Sequence, residues 1–461
     1  MSVPPLSESS PAVNALARTL ALSESNSFGI YIGRGPGGAT FAPPQHGVLV
    51  LGPPRCGKTT SVIVPNILAS CGPVVAASTK PDVLQVTSPG RVLIGDCMLY
   101  DPGGTVSLPR NVRRVAWSPL QAASTWAGAL SVAETMVLAA RPGGDRGETV
   151  HWNERATALI AVAFHAGALG GTDFSRVLEA IDRRQSDDFN VPLARNGADL
   201  ALNLLAGITG TDQREQSGIW STAASVLAAY RTEAALASTR GLPLDVAKFL
   251  AEPSTLYVCA GSDSQRHAAP LVAGVIRDVR TAAYERAAVL SPGMPFEGPP
   301  LLLALDELAN IAPLHDLPAI VSEGGSQGVV TLACLQDLSQ AEDRWGRQAS
   351  GFLSLFQEKL VFPNIADTRT LETISKLAGE IDAVHTSETR SPRWATSFGQ
   401  RANRTQTVST RKERRFPVDV IAVGRPGSVF HVDGVRPRWL GAPPWYTDSD
   451  LRAIVYPGGL S

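Results

Sequence analysis

The chain has 461 residues, is 44% hydrophobic and 18% charged, and carries a formal net charge of −1. Such a length accommodates roughly two to three domains, and the composition is that of a folded soluble protein. The balanced charge excludes a polybasic chain, so any nucleic-acid contact has to come from a local basic surface.

Met1 to Asn26 is polar, with no basic stretch followed by an apolar core. It reads as a flexible tail and not as a secretory signal. Phe28-Gly29-Ile30-Tyr31-Ile32 and the turn Arg34-Gly35-Pro36-Gly37-Gly38 predict a small hairpin. Val48-Leu49-Val50-Leu51 is a buried strand, followed by Gly52-Pro53-Pro54-Arg55-Cys56-Gly57-Lys58-Thr59 and a helix from Thr60 to Ser70. That segment fits G-x-x-x-x-G-K-[ST] in its required strand–loop–helix setting. Pro65 should kink or shorten the helix. Val74-Val75-Ala76-Ala77 predicts a second core strand, and Val92-Leu93-Ile94 and Met98-Leu99-Tyr100-Asp101 two shorter ones.

From Ser124 to about Lys248 the β-branched runs vanish, and Ala and Leu dominate with charges at helical spacing. The stretch predicts an all-helical insertion. Within it, Arg141 to Gly147 reads as an exposed loop. Ala156 to Gly171, apolar but short of the roughly 18 strongly apolar residues a span needs, reads as a buried helix. Strand texture returns at Ser254 to Ala260, followed by a helix from about Ala269 to Ala288. Further strands are predicted at Leu301 to Glu307, Val329 to Gln336, Lys359 to Phe362 and Gly427 to Val432, before a Pro-rich, Trp-bearing tail. Between Arg390 and Arg415 there are eight Arg or Lys against one Glu, a run that reads either as a phosphate-contacting surface or as a solvated loop.

These elements predict an α/β fold: a P-loop NTPase domain with a mainly parallel sheet in two segments, 27–123 and 249–440, and an all-α insertion domain, 124–248. Tails are expected at 1–26 and 441–461. The five cysteines (Cys56, Cys71, Cys97, Cys259, Cys334) are scattered, without C-x-x-C, which argues against a disulfide framework or a cysteine zinc site and for a reducing cytoplasm. The histidines are few and dispersed, and none is assigned to a metal.

The chemistry follows from position. In a P-loop, backbone N–H groups and a helix N-terminus surround a polyphosphate. Gly52, Pro53, Pro54, Arg55, Cys56, Gly57, Lys58, Thr59 and Thr60 are the expected nucleotide-binding residues, with Lys58 on the β- and γ-phosphates and the Thr59 hydroxyl on Mg²⁺. Leu301 to Leu305 ending in Asp306-Glu307 reads as a Walker B strand. Asp306 would hold Mg²⁺ and Glu307 orient or deprotonate the attacking water. Gln336 ends the next strand, where it can contact the γ-phosphate or the water. For a charge-stabilising arginine, Arg34, Arg266 and Arg369 are candidates.

With both Walker elements placed, the surrounding residues resemble the type IV secretion coupling proteins, the TraG/TraD-like group within the FtsK/HerA hexameric ATPases. The P-loop is followed by Pro65-Asn66-Ile67-Leu68, similar to the family's Pro-Asn-Leu-Leu. Ser78-Thr79-Lys80-Pro81-Asp82 stands where the family often has Asp-Pro-Lys-Gly-Glu. Leu305-Asp306-Glu307-Leu308-Ala309-Asn310-Ile311-Ala312-Pro313-Leu314 resembles its Walker B segment, and Gln336-Asp337-Leu338-Ser339-Gln340 its Gln-Ser-Leu-Ala-Gln. The resemblance runs from about residue 28 to 440. It implies a RecA-like domain, ATP and Mg²⁺, and a homo-hexamer that couples hydrolysis to moving DNA, single- or double-stranded, toward a secretion channel. Relaxase or effector cargo and other type IV secretion components are the implied partners. Two departures stand out. The family usually begins with transmembrane helices and this sequence shows none, which suggests a cytoplasmic protein, or one held at the inner face of the membrane by a separate anchor. Its basic residues after Walker B are replaced here by Ser322-Glu323-Gly324-Gly325-Ser326-Gln327-Gly328. A protein-handling ATPase and a non-hydrolysing cargo adaptor are the alternatives.

Overall fold

The computed structural model describes residues 10–141, 147–261, 265–311, 314–390 and 404–457. In chain order its strands are β1 (Tyr31–Gly35), β2 (Gly38–Phe41), β3 (Val48–Leu51), β4 (Val74–Ser78), β5 (Cys97–Tyr100), β6 (Val112–Arg114) and β7 (Thr255–Cys259). There follow β8 (Leu301–Leu305), β9 (Val329–Leu335), β10 (Glu358–Val361), β11 (Glu380–Arg390), β12 (Arg404–Arg414), β13 (Ser428–Val432) and β14 (Arg438–Gly441). Twelve of them form one sheet, ordered β2-β1-β14-β13-β10-β3-β9-β8-β4-β7-β5-β6. From β10 to β6 every pairing is parallel; the four strands beyond β10 are antiparallel. The fold is α/β and P-loop-type, as expected.

The central parallel strands β3, β4 and β8 are short runs of Val, Leu and Ala because both sheet faces are covered there. Alternation divides each strand between two cores. Leu49, Leu51, Val75, Ala77, Leu303 and Leu305 face a cluster shared with the helices of 126–251. Val48, Val50, Val74, Ala76, Leu302 and Ala304 face the other, packed with Ile63, Ile67 and Leu84 from the helices after β3 and β4. The residues from Pro119 to Ala251 contain helices and no strand among those described. The helix Gln265–Leu290 packs on Trp126–Ala140. A Cβ at Gly274 would stand 2.4 Å from the Trp117 ring, and the indole nitrogen donates to Asp278 at 3.0 Å, so a glycine in this helix leaves room for the tryptophan.

Several expectations are corrected. Residues 11–25, read as a flexible tail, form a helix capped by Ser10, which accepts a hydrogen bond from the Val13 N–H. Its apolar residues Ala15, Leu16 and Leu20 pack with Leu68, Trp445 and Ile454, an apolar stripe diluted in the sequence by Ser, Thr and Asn. Likewise 441–461 is not a plain tail. It continues from β14 into a helix, Ser449–Val455, whose Ile454 and Val455 are buried in that cluster. Val92-Leu93-Ile94 is a turn and not a strand, because the helix Asp82–Arg91 reaches it. Residues 142–146 of the expected loop lie outside the described residues. No described helix is long and apolar enough to cross a membrane.

Arg91, fully buried, ties the starts of β4 and β7 together. Its guanidinium donates to the carbonyls of Ser70, Gly72 (3.0 Å) and Pro253 (2.9 Å) and to the Thr255 hydroxyl (2.8 Å). Burial pushes its pKa down, and carbonyl dipoles, not a carboxylate, hold the charge. Arg91→Ala strands three carbonyls at about 1–3 kcal/mol each. The expected result in urea unfolding is a loss on the order of 3 kcal/mol or more.

Candidate functional site

In the sheet order β3-β9-β8-β4, four strand tips lie side by side at the C-terminal edge, where parallel α/β sheets bind ligands. The loop from β3 begins at Gly52, whose N–H donates to the carbonyls of Leu335 (3.2 Å) and Gln336 (3.1 Å) at the end of β9. A Cβ at Gly52 would lie 2.6 Å from Cys56 Sγ and 2.8 Å from Phe362 Cβ, so no side chain fits there. Gly57 has φ +106° and Arg55 φ +63°, the bends that curl the loop. The following helix opens with a wide π-type turn over Thr59–Ile63 and becomes regular at Val64–Ala69. Pro65 thus sits in the first turn of its regular part, where a missing N–H costs least.

Lys58 Nζ donates to the carbonyls of Gly52 (2.5 Å) and Pro53 (3.0 Å), folded over its own loop. The Thr59 hydroxyl lies 3.1 and 3.0 Å from the two carboxylate oxygens of Asp306. Asp306 is held at the tip of β8, its N–H donating to Ala77 O at 3.0 Å. Burial pushes its carboxyl up to about 6. The Thr59 hydrogen bond opposes that rise, the Glu307 and Asp82 carboxylates add to it, and Lys58 opposes it again. Glu307 has φ +62°, an uncommon conformation for a non-glycine residue and one concentrated at functional sites.

Two residues whose roles sequence reasoning missed complete this edge. Ser78 Oγ, at the end of β4, donates to Asp306 Oδ2 at 3.5 Å, and Thr79 Oγ1 donates to Glu307 Oε2 at 2.9 Å. Each acidic residue therefore has a hydroxyl from the neighbouring strand tip. The available signal was the Ser-Thr pair ending an apolar run, visible only once β4 is known to pair with β8. Gln336 is placed between the P-loop and Asp306, since β9 pairs with both β3 and β8, and its backbone N–H donates to Gln340 Oε1 at 2.9 Å. Arg34 is not brought to the site: it lies on β1, four strands from β3, paired with Asp448. Arg369 is exposed and pairs with Glu342 at 2.7 Å. The side chain of Arg266 lies outside the described residues. Part of the basic run is built into a separate two-stranded arm of β11 and β12, where Arg414 pairs with Glu380 at 2.9 Å. Residues 391–403 lie outside the described residues.

The donor set suits a Mg²⁺–nucleotide. A hydroxyl and a buried carboxylate converge beside a lysine amine, at the end of a loop bent at Arg55 and Gly57. Residues 300–422 match a family model described as the TraM recognition site of TraD and TraG. No curated protein matches the chain by sequence. Among solved structures, the unbound monoclinic form of the bacterial conjugative coupling protein TrwBdeltaN70 superposes with a TM-score of 0.65 at 18% identity, covering 87% of this chain and 85% of that one. TrwB in complex with ADP and Mg²⁺ gives 0.63 at 18% identity over 87% and 85%. TrwB with a non-hydrolysable ATP analogue gives 0.63 at 18% over 87% and 86%. The resemblance read from the sequence thus stands on a family match over 300–422 and on a shared fold across most of the chain.

Proposed function

We propose that this chain, with the fold of a conjugative coupling protein and a TraD/TraG segment at 300–422, is an ATP-hydrolysing coupling protein that moves DNA or DNA–protein cargo toward a type IV secretion channel. The observation that carries the nucleotide part is the meeting of the Thr59 hydroxyl and the Asp306 carboxylate at 3.0 Å beside Lys58. Lys58 leaves the Gly52 and Pro53 carbonyls for the β- and γ-phosphates. Thr59 and Asp306 hold Mg²⁺, which when bound neutralises phosphate charge. Gly52 to Thr60 cradle the phosphates with backbone N–H groups. Glu307 takes the proton of the attacking water, Thr79 keeping its carboxylate in place, and Gln336 positions the water from the β9 tip.

The remainder of the reading is organisational. Segments 27–123 and 249–440 act as the nucleotide-binding domain and 124–248 as a helical module. The chain works as a homo-hexamer with relaxase or effector cargo as partner, in the cytoplasm or against the membrane's inner face. The description of the matching family, a TraM recognition site, supports a protein partner on 300–422.

The test is ATP turnover by the full chain with and without single- and double-stranded DNA. Turnover raised several-fold by DNA is the expected result. Turnover indifferent to DNA would move the reading to an ATPase acting on protein complexes, and ATP binding without turnover to a cargo adaptor.

A further inference from the structure

We infer that Glu358, His431 and Asp433 form a site for one divalent transition metal of the zinc class, at the edge of the sheet opposite the nucleotide site. Glu358 opens β10 and is 3% exposed; His431 lies on β13 and is 2% exposed. The antiparallel register pairs Leu360 with His431 and Lys359 with Val432. One step further sets Glu358 opposite Asp433, so alternation puts both carboxylates and the imidazole on one sheet face. Ligand atoms of the three residues lie within 4.8 Å of one another.

Two like charges directly opposite in a sheet are destabilising, and a buried carboxylate needs a compensating partner. His431 supplies part of it: Nε2 lies 2.5 Å from Glu358 Oε2. An ion shared by the three residues would take the place of the proton between Nε2 and Oε2; Nδ1, on the far side of the ring, is buried and finds no hydrogen-bond partner among the described residues. A metal-ligating carboxylate is in turn held by hydrogen bonds from its surroundings. Glu358 is held from its second oxygen by His46 Nδ1 at 2.9 Å. Asp433 is fixed by Oδ1, which accepts from the N–H groups of Val435 (2.8 Å) and Arg436 (2.7 Å), leaving Oδ2 for a ligand. Imidazole nitrogen with carboxylate oxygens suits zinc better than the all-oxygen preference of Mg²⁺.

The site is separate from the nucleotide edge. Glu358 and the end of β10 are three residues apart, about 10 Å of strand. The metal would fasten β13, and through it β14, β1 and β2, to the parallel sheet, so its binding appears as stability.

The experiment uses the full chain, dialysed against chelator and kept free of nucleotide. It is titrated with Zn²⁺ by calorimetry and melted with and without Zn²⁺. The expected result is saturation at one zinc per chain and a raised melting temperature. Asp433→Asn, at a partly exposed position where the backbone hydrogen bonds can persist, should weaken zinc by about tenfold or more and remove the thermal shift. His431→Gln should do the same if it folds; if it does not, Asp433→Asn decides alone. No saturable binding overturns the assignment. So does zinc binding of unchanged strength in Asp433→Asn, which would place the ion elsewhere, for example on a thiol.

Discussion

Glu307→Gln will bind ATP as tightly as the wild type and turn it over roughly 10²- to 10⁴-fold more slowly, the range set by loss of a general base. Lys58→Ala will fail earlier, at nucleotide affinity. The two defects differ because the residues occupy different strand tips. Lys58 belongs to the loop after β3 and now bonds the Gly52 and Pro53 carbonyls. Glu307 follows β8, bonded by the Thr79 hydroxyl at 2.9 Å, a donor that a glutamine oxygen also satisfies. Neither substitution empties a core position, so both variants should melt near the wild type. A fluorescent ATP analogue and a phosphate-release assay separate the outcomes. Wild-type turnover in Glu307→Gln would remove the residue from the chemistry. Loss of both binding and turnover in it would make it a structural support of the P-loop edge.

What the sequence disclosed, and what it concealed, divides along the range of the interactions. The P-loop and Asp306-Glu307 are local: a strand, a glycine pattern and a helix start within a few tens of residues, each legible from periodicity. The helical block was legible for the same reason, because β-branched runs stop and restart. The arrangement of the site was not. Ser78 and Thr79 reach Asp306 and Glu307 across 228 positions, and only the pairing of β4 with β8 makes them neighbours. The N-terminal helix was missed because its apolar face is short and its packing partner, Ser449–Val455, lies at the other end of the chain. His431 and His46 are dispersed in the sequence, and an antiparallel strand pair plus a parallel one brings both to Glu358. Gln336 is intermediate. Its strand was readable, and its position between the P-loop and Walker B followed from the expected sheet. What its side chain does depends on a ligand that neither periodicity nor the fold supplies.

Asp306→Asn should make the nucleotide-free protein more stable while abolishing Mg²⁺-dependent nucleotide binding. The Asp306 carboxyl is 6% exposed, and burial pushes it up to about 6 from an ordinary value near 4. A carboxyl raised in the folded state favours its neutral form there. Its contribution is therefore most favourable below pH ~4 and is lost as pH rises through about 6. At neutral pH the folded protein carries a buried charge faced by Thr59, Ser78, Lys58, Glu307 and Asp82, of which only Lys58 is positive. A shift of about two units corresponds to roughly 3 kcal/mol as an upper bound. Asparagine removes that charge and keeps an oxygen for the Thr59 hydroxyl. The stability difference between variant and wild type should be small below pH ~4, grow through pH 5 to 6, and level off above 7, with a melting temperature a few degrees higher there. Calorimetric melts across that range give the curve directly. A variant less stable at pH 7 would mean that the Thr59–Asp306 contact is worth more than the buried charge costs, and an offset independent of pH would mean that folding does not raise the Asp306 carboxyl. The expected outcome instead assigns Asp306 the opposite balance: a carboxylate kept at a stability cost in the empty protein and matched only when Mg²⁺ and nucleotide arrive.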